Sequence, residues 1–406
     1  MRLFSRPAGE APARSAESFS NRFFMVLFSL LVGIHCVNCT SWSYSEQIWI
    51  DLLHLFQLAL YMLLLVKIVI SFPYTIAQLV VFPVLIALGA LSYLGSRDYD
   101  LLVLLVLLVA SKGSDPRALV KRYFIIKAVG FVLTLLLCLL GILPNLHFLS
   151  GGVSYSAAGF THRNVLGANA TALCLAWFYL RYDRLSVLDL VAWLALDAGL
   201  FLLVHSRTTL GMIALICVGV FLFRKGEGLV FRTRWVRRAV PLIFFGMLAV
   251  SLWWMRFYDG TSAFWTWLDG IFTNRIRFAS QCFEEYGLSL FGQDLPFVST
   301  RESLAEGVDS LILDNAYLRA ILVYGLLPGL AFYALYPIAM LKCYDNRDGA
   351  ALICLALFCV FGLSERYMLD AYYQFPLIVG FQYIFSRESG KNGKALRRIY
   401  APWARR

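Results

Sequence analysis

Arg275, Arg277, Arg301 and Arg319 fall in the polar stretch from Phe257 to Arg319, with Arg256 just ahead of it and no lysine among them. A guanidinium grips a phosphate through two parallel hydrogen bonds, whereas an ammonium acts as a point charge. The stretch ends in Asp314-Asn315-Ala-Tyr317-Leu-Arg319, where Asp314 or Asn315 makes an N-cap and Asp314 shares a helical face with Tyr317. Gly159-Phe-Thr-His162-Arg163-Asn164-Val-Leu-Gly167 offers an imidazole beside a guanidinium, His205-Ser-Arg207-Thr-Thr209 a guanidinium in a tight turn, and Glu365-Arg366 an acid next to a base. This set suits an anionic, phosphate-bearing substrate held at the outer face of a membrane.

Each piece also has a plain structural reading. Thr161 or Asn164 could cap a helix, and Glu365-Arg366 could be a local ion pair. Arg275 and Arg277 project to one side if the backbone there is extended, and could then be a solvated pair. Arg207 could snorkel to the headgroups. A charge near hydrocarbon costs on the order of 2.5–3.5 kcal/mol at a helix centre, so Arg207 is expected to have a partner or a task.

The elements that must position these groups are membrane helices. The chain is 60% hydrophobic and 15% charged, with a mean hydropathy of +0.70, well above soluble globular domains. At roughly 20 apolar residues per crossing, about twelve spans are expected, near 22–38, 48–68, 74–94, 99–111, 120–143, 164–181, 186–205, 208–224, 239–256, 314–341, 349–365 and 371–386. This predicts an all-α polytopic bundle (22–386) with an outer loop 257–313, a disordered cytoplasmic tail 1–21 and a basic cytoplasmic tail 387–406. Within the loop, Ser262–Phe278 places Phe264, Trp265, Leu268, Ile271 and Phe272 at helical spacing, as an interfacial helix would.

Most of the 36 basic residues fall on one side of these spans, which puts both termini in the cytoplasm. The net charge of +11 is therefore a topology signal, and nucleic acid is not an expected partner. Nine cysteines lie mostly within apolar runs. Cys36 and Cys39 form a lone CxxC that lacks a second ligand pair for zinc, and a disulfide there is unproven.

Gly-Phe-x-His-x-Asn-x-Leu-Gly at 159–167, Ser-Arg-Thr at 206–208, Asn-Arg-Ile at 274–276 with Leu-Phe-Gly-Gln at 290–293, Asp-Asn-x-Tyr-Leu at 314–318 and Tyr-Gly at 324–325 occur in this order. The ordered set resembles the O-antigen ligase and Wzy-type polysaccharide polymerase superfamily, most closely its capsular and exopolysaccharide polymerases. The resemblance implies a GT-C-like fold in a bacterial inner membrane. It also implies transfer of a glycan from an undecaprenyl-diphosphate donor to a sugar hydroxyl of an acceptor, with inversion and with no metal or cofactor. The family's conserved arginines fall on Arg207 and Arg275, with Arg277 as rival. The ligase branch has His-Asn where this chain has Asp314-Asn315, which favours a polymerase over a ligase.

On this reading Arg207, Arg275 and Asp314 are the catalytic expectations. His162, Arg163, Arg277, Asn315, Tyr317, Arg319, Glu365 and Arg366 are expected around the substrate, with His162 and then Glu365 as lesser candidates for the base. The expected partners are an undecaprenyl-diphosphate-linked oligosaccharide and the lipid bilayer; a chain-length regulator is left open. An anionic-solute transporter is the alternative from another class, with Asp197 and Lys127 as its supports inside the bundle.

Overall fold

The computed structural model describes residues 10–44, 48–71, 74–150, 153–298 and 310–385. The expected tail 387–406 and Arg301 lie outside them. Fifteen α-helices occur among the described residues. They are α1 (Glu10–Asn38), α2 (Ile48–Ile70), α3 (Ile76–Ser96), α4 (Asp100–Ala110), α5 (Pro116–Leu139), α6 (Arg163–Arg181), α7 (Val187–Val204) and α8 (Arg207–Val230). The rest are α9 (Arg234–Phe257), α10 (Ala263–Ile271), α11 (Arg275–Tyr286), α12 (Ala316–Leu322), α13 (Leu326–Asp345), α14 (Gly349–Phe361) and α15 (Phe375–Ile384). The architecture is a polytopic helical bundle, and α1 begins at Glu10, upstream of the expected span start.

Eight helices, rather than twelve, are long and apolar enough to cross a bilayer: residues 19–38 of α1, then α2, α3, α5, α7, α8, α9 and α13. The difference has a physical cause. An apolar run reads the same whether it faces lipid or protein, and α4, α14 and α15, of 11, 13 and 10 residues, face protein. In α4 every residue from Val103 to Ala110 is buried, with Leu101. α6 has the length but carries Asn164, Asn169 and Thr171, and most of its side chains are also covered by the chain.

The expected span 314–341 is broken in two. α12 ends at Leu322, and Gly325 then adopts a φ of 95°, a left-handed conformation open to glycine without a Cβ clash. The break is clasped by the segment after α11. Leu326 and Leu327 donate backbone hydrogen bonds to Ser289 and Leu290, while Gln293 donates its own N–H to Val323. Ser92 of α3 completes the clasp by donating to the Tyr324 carbonyl (2.9 Å). The Leu-Phe-Gly-Gln and Tyr-Gly motifs are thus two halves of one backbone contact.

The expected single helix over 262–278 is also two. Thr273 and Asn274 take positive φ values of 59° and 64°, and the chain turns between α10 and α11. Of the expected face, Phe264 and Ile271 are exposed on α10, joined by Trp267, whereas Trp265 turns inward against Trp253, its ring centre 4.8 Å away. The segment ahead of α6 folds as a hairpin, His147–Ser150 pairing antiparallel with Val153–Ser156. Ser41 and Thr161 then tie that loop to the end of α1 by backbone bonds to Gly159 and Cys39.

Candidate functional site: a buried guanidinium between two carboxylates

The N-termini of α6, α8, α11 and α12 bring their polar groups together at one end of the bundle. At the centre is Arg275, 9% exposed on the first turn of α11. Its Nε donates to Asp314 Oδ2 (3.2 Å), and its Nη2 lies 3.1 Å from the same oxygen. Nη2 also donates to Glu365 Oε1 at 2.8 Å. The Thr208 hydroxyl accepts a long bond from Nη1, 3.5 Å, and so fixes the Ser-Arg-Thr turn against the cluster. Groups from sequence positions 208, 275, 314 and 365 therefore meet within one hydrogen-bonded unit.

Local capping holds this geometry. Asn274 is left-handed and caps nothing with its side chain, so the start of α11 is satisfied from the preceding helix. Asp269, buried at 4% exposure, accepts from the N–H groups of Ile276 (3.0 Å) and Arg277 (3.1 Å). A carboxylate there satisfies two orphan donors and opposes the positive helix end. Asp269→Ala is expected to lower stability by about 2 kcal/mol in denaturant titration and to disturb Arg275 secondarily. A change below about 0.5 kcal/mol would contradict this capping role.

Two expected substrate contacts prove to be scaffold. Asn315 caps α12, accepting from Leu318 N–H (3.0 Å), and its amide donates to Ser251 (2.9 Å) and the Leu363 carbonyl (3.1 Å). Tyr317 is fully buried and donates to the Cys359 carbonyl (2.8 Å). Asp314 points to Arg275 instead of sharing a face with Tyr317, because it precedes the helix. Arg277 also parts from Arg275, since α11 is helical where an extended backbone would have aligned them. Arg277 is exposed and rests on the Phe278 ring, 5.1 Å from its centre.

Glu365 does not form the local ion pair read from its neighbour Arg366. It reaches Arg275, ninety residues away in sequence. Burial pushes its carboxyl up to about 7; Arg275 pulls it down and Asp314 pushes it further up. An acid that holds its proton more tightly when folded contributes stability fully below its unfolded value of 4.5, and that contribution is lost as pH rises through about 7. The melting temperature should therefore fall across this window in the wild type and stay flatter in Glu365→Gln. Superimposable pH profiles would contradict the assignment.

His162, not Thr161 or Asn164, caps α6: its Nδ1 accepts from the Asn164 N–H at 3.1 Å. Burial first, then the Arg163 charge, lowers this imidazole to about 4, with Asp314 and Arg275 also in its field. Its contribution runs opposite to that of Glu365, being complete above 6.5 and lost as pH falls through about 4. At neutral pH His162 is an uncharged ring with its Nδ1 already engaged. Arg163 lies over the Tyr155 ring, 4.6 Å from its centre, in the field of both Arg207 and Arg275. Arg207 itself opens α8 and is exposed. The site therefore presents one accessible guanidinium, a half-buried second and a buried third already neutralised by carboxylates.

On the other side of the Glu365–Arg366 turn is a cavity of about 360 Å³ lined by Asp98, Asp100, Asp294, Phe297, Arg319 and Arg366, among others. Arg319 is 5% exposed, donates to Asp98 (2.6 Å) and stacks on Phe297 at 4.9 Å. Its Nε has no hydrogen-bond partner among the described residues. Arg319 and Arg366 thus belong to a neighbouring polar pocket and not to the Arg275 cluster. Asp98, in the turn between α3 and α4, and Asp100, the first residue of α4, carried no sequence signal beyond their charge.

Lys127 and Asp197 do not pair. Lys127 donates to Asn169 (2.8 Å) and sits over the Tyr373 ring, while Asp197 is 1% exposed with neither oxygen hydrogen-bonded among the described residues. Cys36 and Cys39 are free thiols.

The fold and the cluster define a helical protein of membrane character, with a guanidinium–dicarboxylate site at one end of its bundle. Comparison with protein-family models, with curated proteins and with solved structures returned no match.

Proposed function

We propose that the chain is a polysaccharide polymerase that transfers a glycan from undecaprenyl diphosphate to a sugar hydroxyl of a second lipid-linked repeat unit. The observation that carries this reading is the convergence of Thr208, Arg275, Asp314 and Glu365, from four separate segments, at one end of the bundle, with exposed Arg207 next to Thr208 and in the field of Arg163. A scaffold role alone would not require a buried arginine that orients two acids and is bonded to a turn carrying an exposed one.

Asp314, 20% exposed on its side chain, is the base that an acceptor hydroxyl can reach. Arg275 holds its Oδ2 and leaves Oδ1 to take the hydroxyl proton. The acceptor oxygen attacks the anomeric carbon as the bond from that carbon to the diphosphate oxygen breaks. The electron pair leaves with undecaprenyl diphosphate, and a single displacement inverts the anomeric centre. Charge developing on the diphosphate is met by Arg207 and Arg163, since preorganised guanidinium donors stabilise such a leaving group best in a water-poor site. Arg275, already neutralised, acts as a positioning residue for Asp314 and Glu365 and not as a diphosphate clamp.

Purified protein in liposomes, given a synthetic undecaprenyl-diphosphate-linked repeat, is expected to yield products of two or more repeats with release of undecaprenyl diphosphate. Uptake of an anionic solute without any new glycosidic bond would overturn the proposal in favour of transport.

A further inference from the structure

The opposite end of the bundle carries a second arginine group. α8 runs from the Arg275 cluster to Val230, and α9 starts back from Arg234, so the turn between them lies about 36 Å from Thr208 along α8. Phe231, Arg232, Arg234, Arg237, Arg238 and Tyr344 line a cavity there of about 340 Å³. The turn is fixed: the Tyr344 hydroxyl sits 3.0 Å from the Val230 carbonyl and 3.1 Å from that of Thr233. Arg237 is held through two bonds to Asp345, 2.7 and 2.9 Å. Arg232, Arg234 and Arg238 are exposed, with no carboxylate at ion-pair distance among the described residues. Arg238 stacks on Trp235 at 4.9 Å.

We propose that this cavity binds the phosphodiester headgroup of an anionic phospholipid. A helix of about 36 Å overshoots a hydrocarbon core of about 30 Å, which puts the first turn of α9 at headgroup depth. Leu229, Trp235 and Leu242 are exposed around it, an apolar surround suited to acyl chains and unlike that of a water-facing phosphate site. Three planar forks with no carboxylate partner among the described residues, on a pinned turn, match a phosphodiester, and basic pockets between membrane helices recognise such headgroups. A topology signal alone needs only the charge and not a shared cavity.

The full-length protein in uncharged detergent, titrated with phosphatidylglycerol or cardiolipin, should retain lipid by native mass spectrometry and melt at a higher temperature. Phosphatidylcholine and inorganic phosphate should do neither. Arg232→Ala/Arg234→Ala/Arg238→Ala is expected to weaken retention on the order of a hundredfold. Lys121→Ala/Arg122→Ala, which removes charge from the head of α5 at the same end of the bundle, should leave it unchanged. Equal retention by the arginine triple variant, equal loss in the α5 variant, or an equal shift with inorganic phosphate would each overturn the proposal. If the alanine triple fails to fold, replacing the same three residues with lysine keeps the charge and removes the fork; wild-type retention by that variant would overturn it too.

Discussion

Arg275→Ala should destabilise the protein by about 3–5 kcal/mol, because it leaves the buried Glu365 and the half-buried Asp314 facing each other without their shared cation. The loss should be partly recovered by Glu365→Gln in the same chain, since the amide removes one of the two like charges. A double-mutant cycle in denaturant measures this coupling directly. Additive losses would mean that Arg275 and Glu365 are not an interacting pair. Chain elongation should also vanish in the single variant, through misplacement of Asp314.

Arg207→Ala should do the reverse. Arg207 is exposed at the head of α8, so the melting temperature should stay near that of the wild type, as it does for most surface substitutions. Elongation of a lipid-linked repeat should nevertheless drop about 10²–10³-fold, the effect of removing one preorganised donor from a developing anion. Arg207→Lys should recover little, since a point charge does not replace a fork. Wild-type elongation by Arg207→Ala would remove this residue from the mechanism. The two variants separate the arginine that builds the site from the arginine that meets the substrate.

Arg207, Arg275, Asp314 and His162 were legible because polar groups are conspicuous in so apolar a chain. Their roles were less so. Glu365 sits beside Arg366, and a local pairing is the economical reading of adjacent opposite charges. Only the fold shows that it turns to Arg275. Asn315 and Tyr317 looked equally polar, yet their bonds to Ser251, Leu363 and Cys359 place them in the scaffold.

The span count was legible only in part, for a related reason: eight of the described helices have the length and apolar character to cross a bilayer. Hydropathy cannot tell lipid from protein as the surroundings of α4, α14 and α15. The break at Gly325 and the turn at Thr273–Asn274 depend on one and two left-handed residues respectively, which a stretch of apolar periodicity conceals. The Leu-Phe-Gly-Gln and Tyr-Gly motifs were visible as residues, but their mutual clasp was not.

The central claim is that Asp314, oriented by Arg275, takes the proton from an acceptor hydroxyl. Single-turnover elongation of an undecaprenyl-diphosphate-linked repeat by Asp314→Asn tests it most directly, with donor binding and melting temperature followed alongside. The expected result is a rate lower by about 10²–10⁴-fold with donor binding kept and the protein folded. Elongation at the wild-type rate would contradict it.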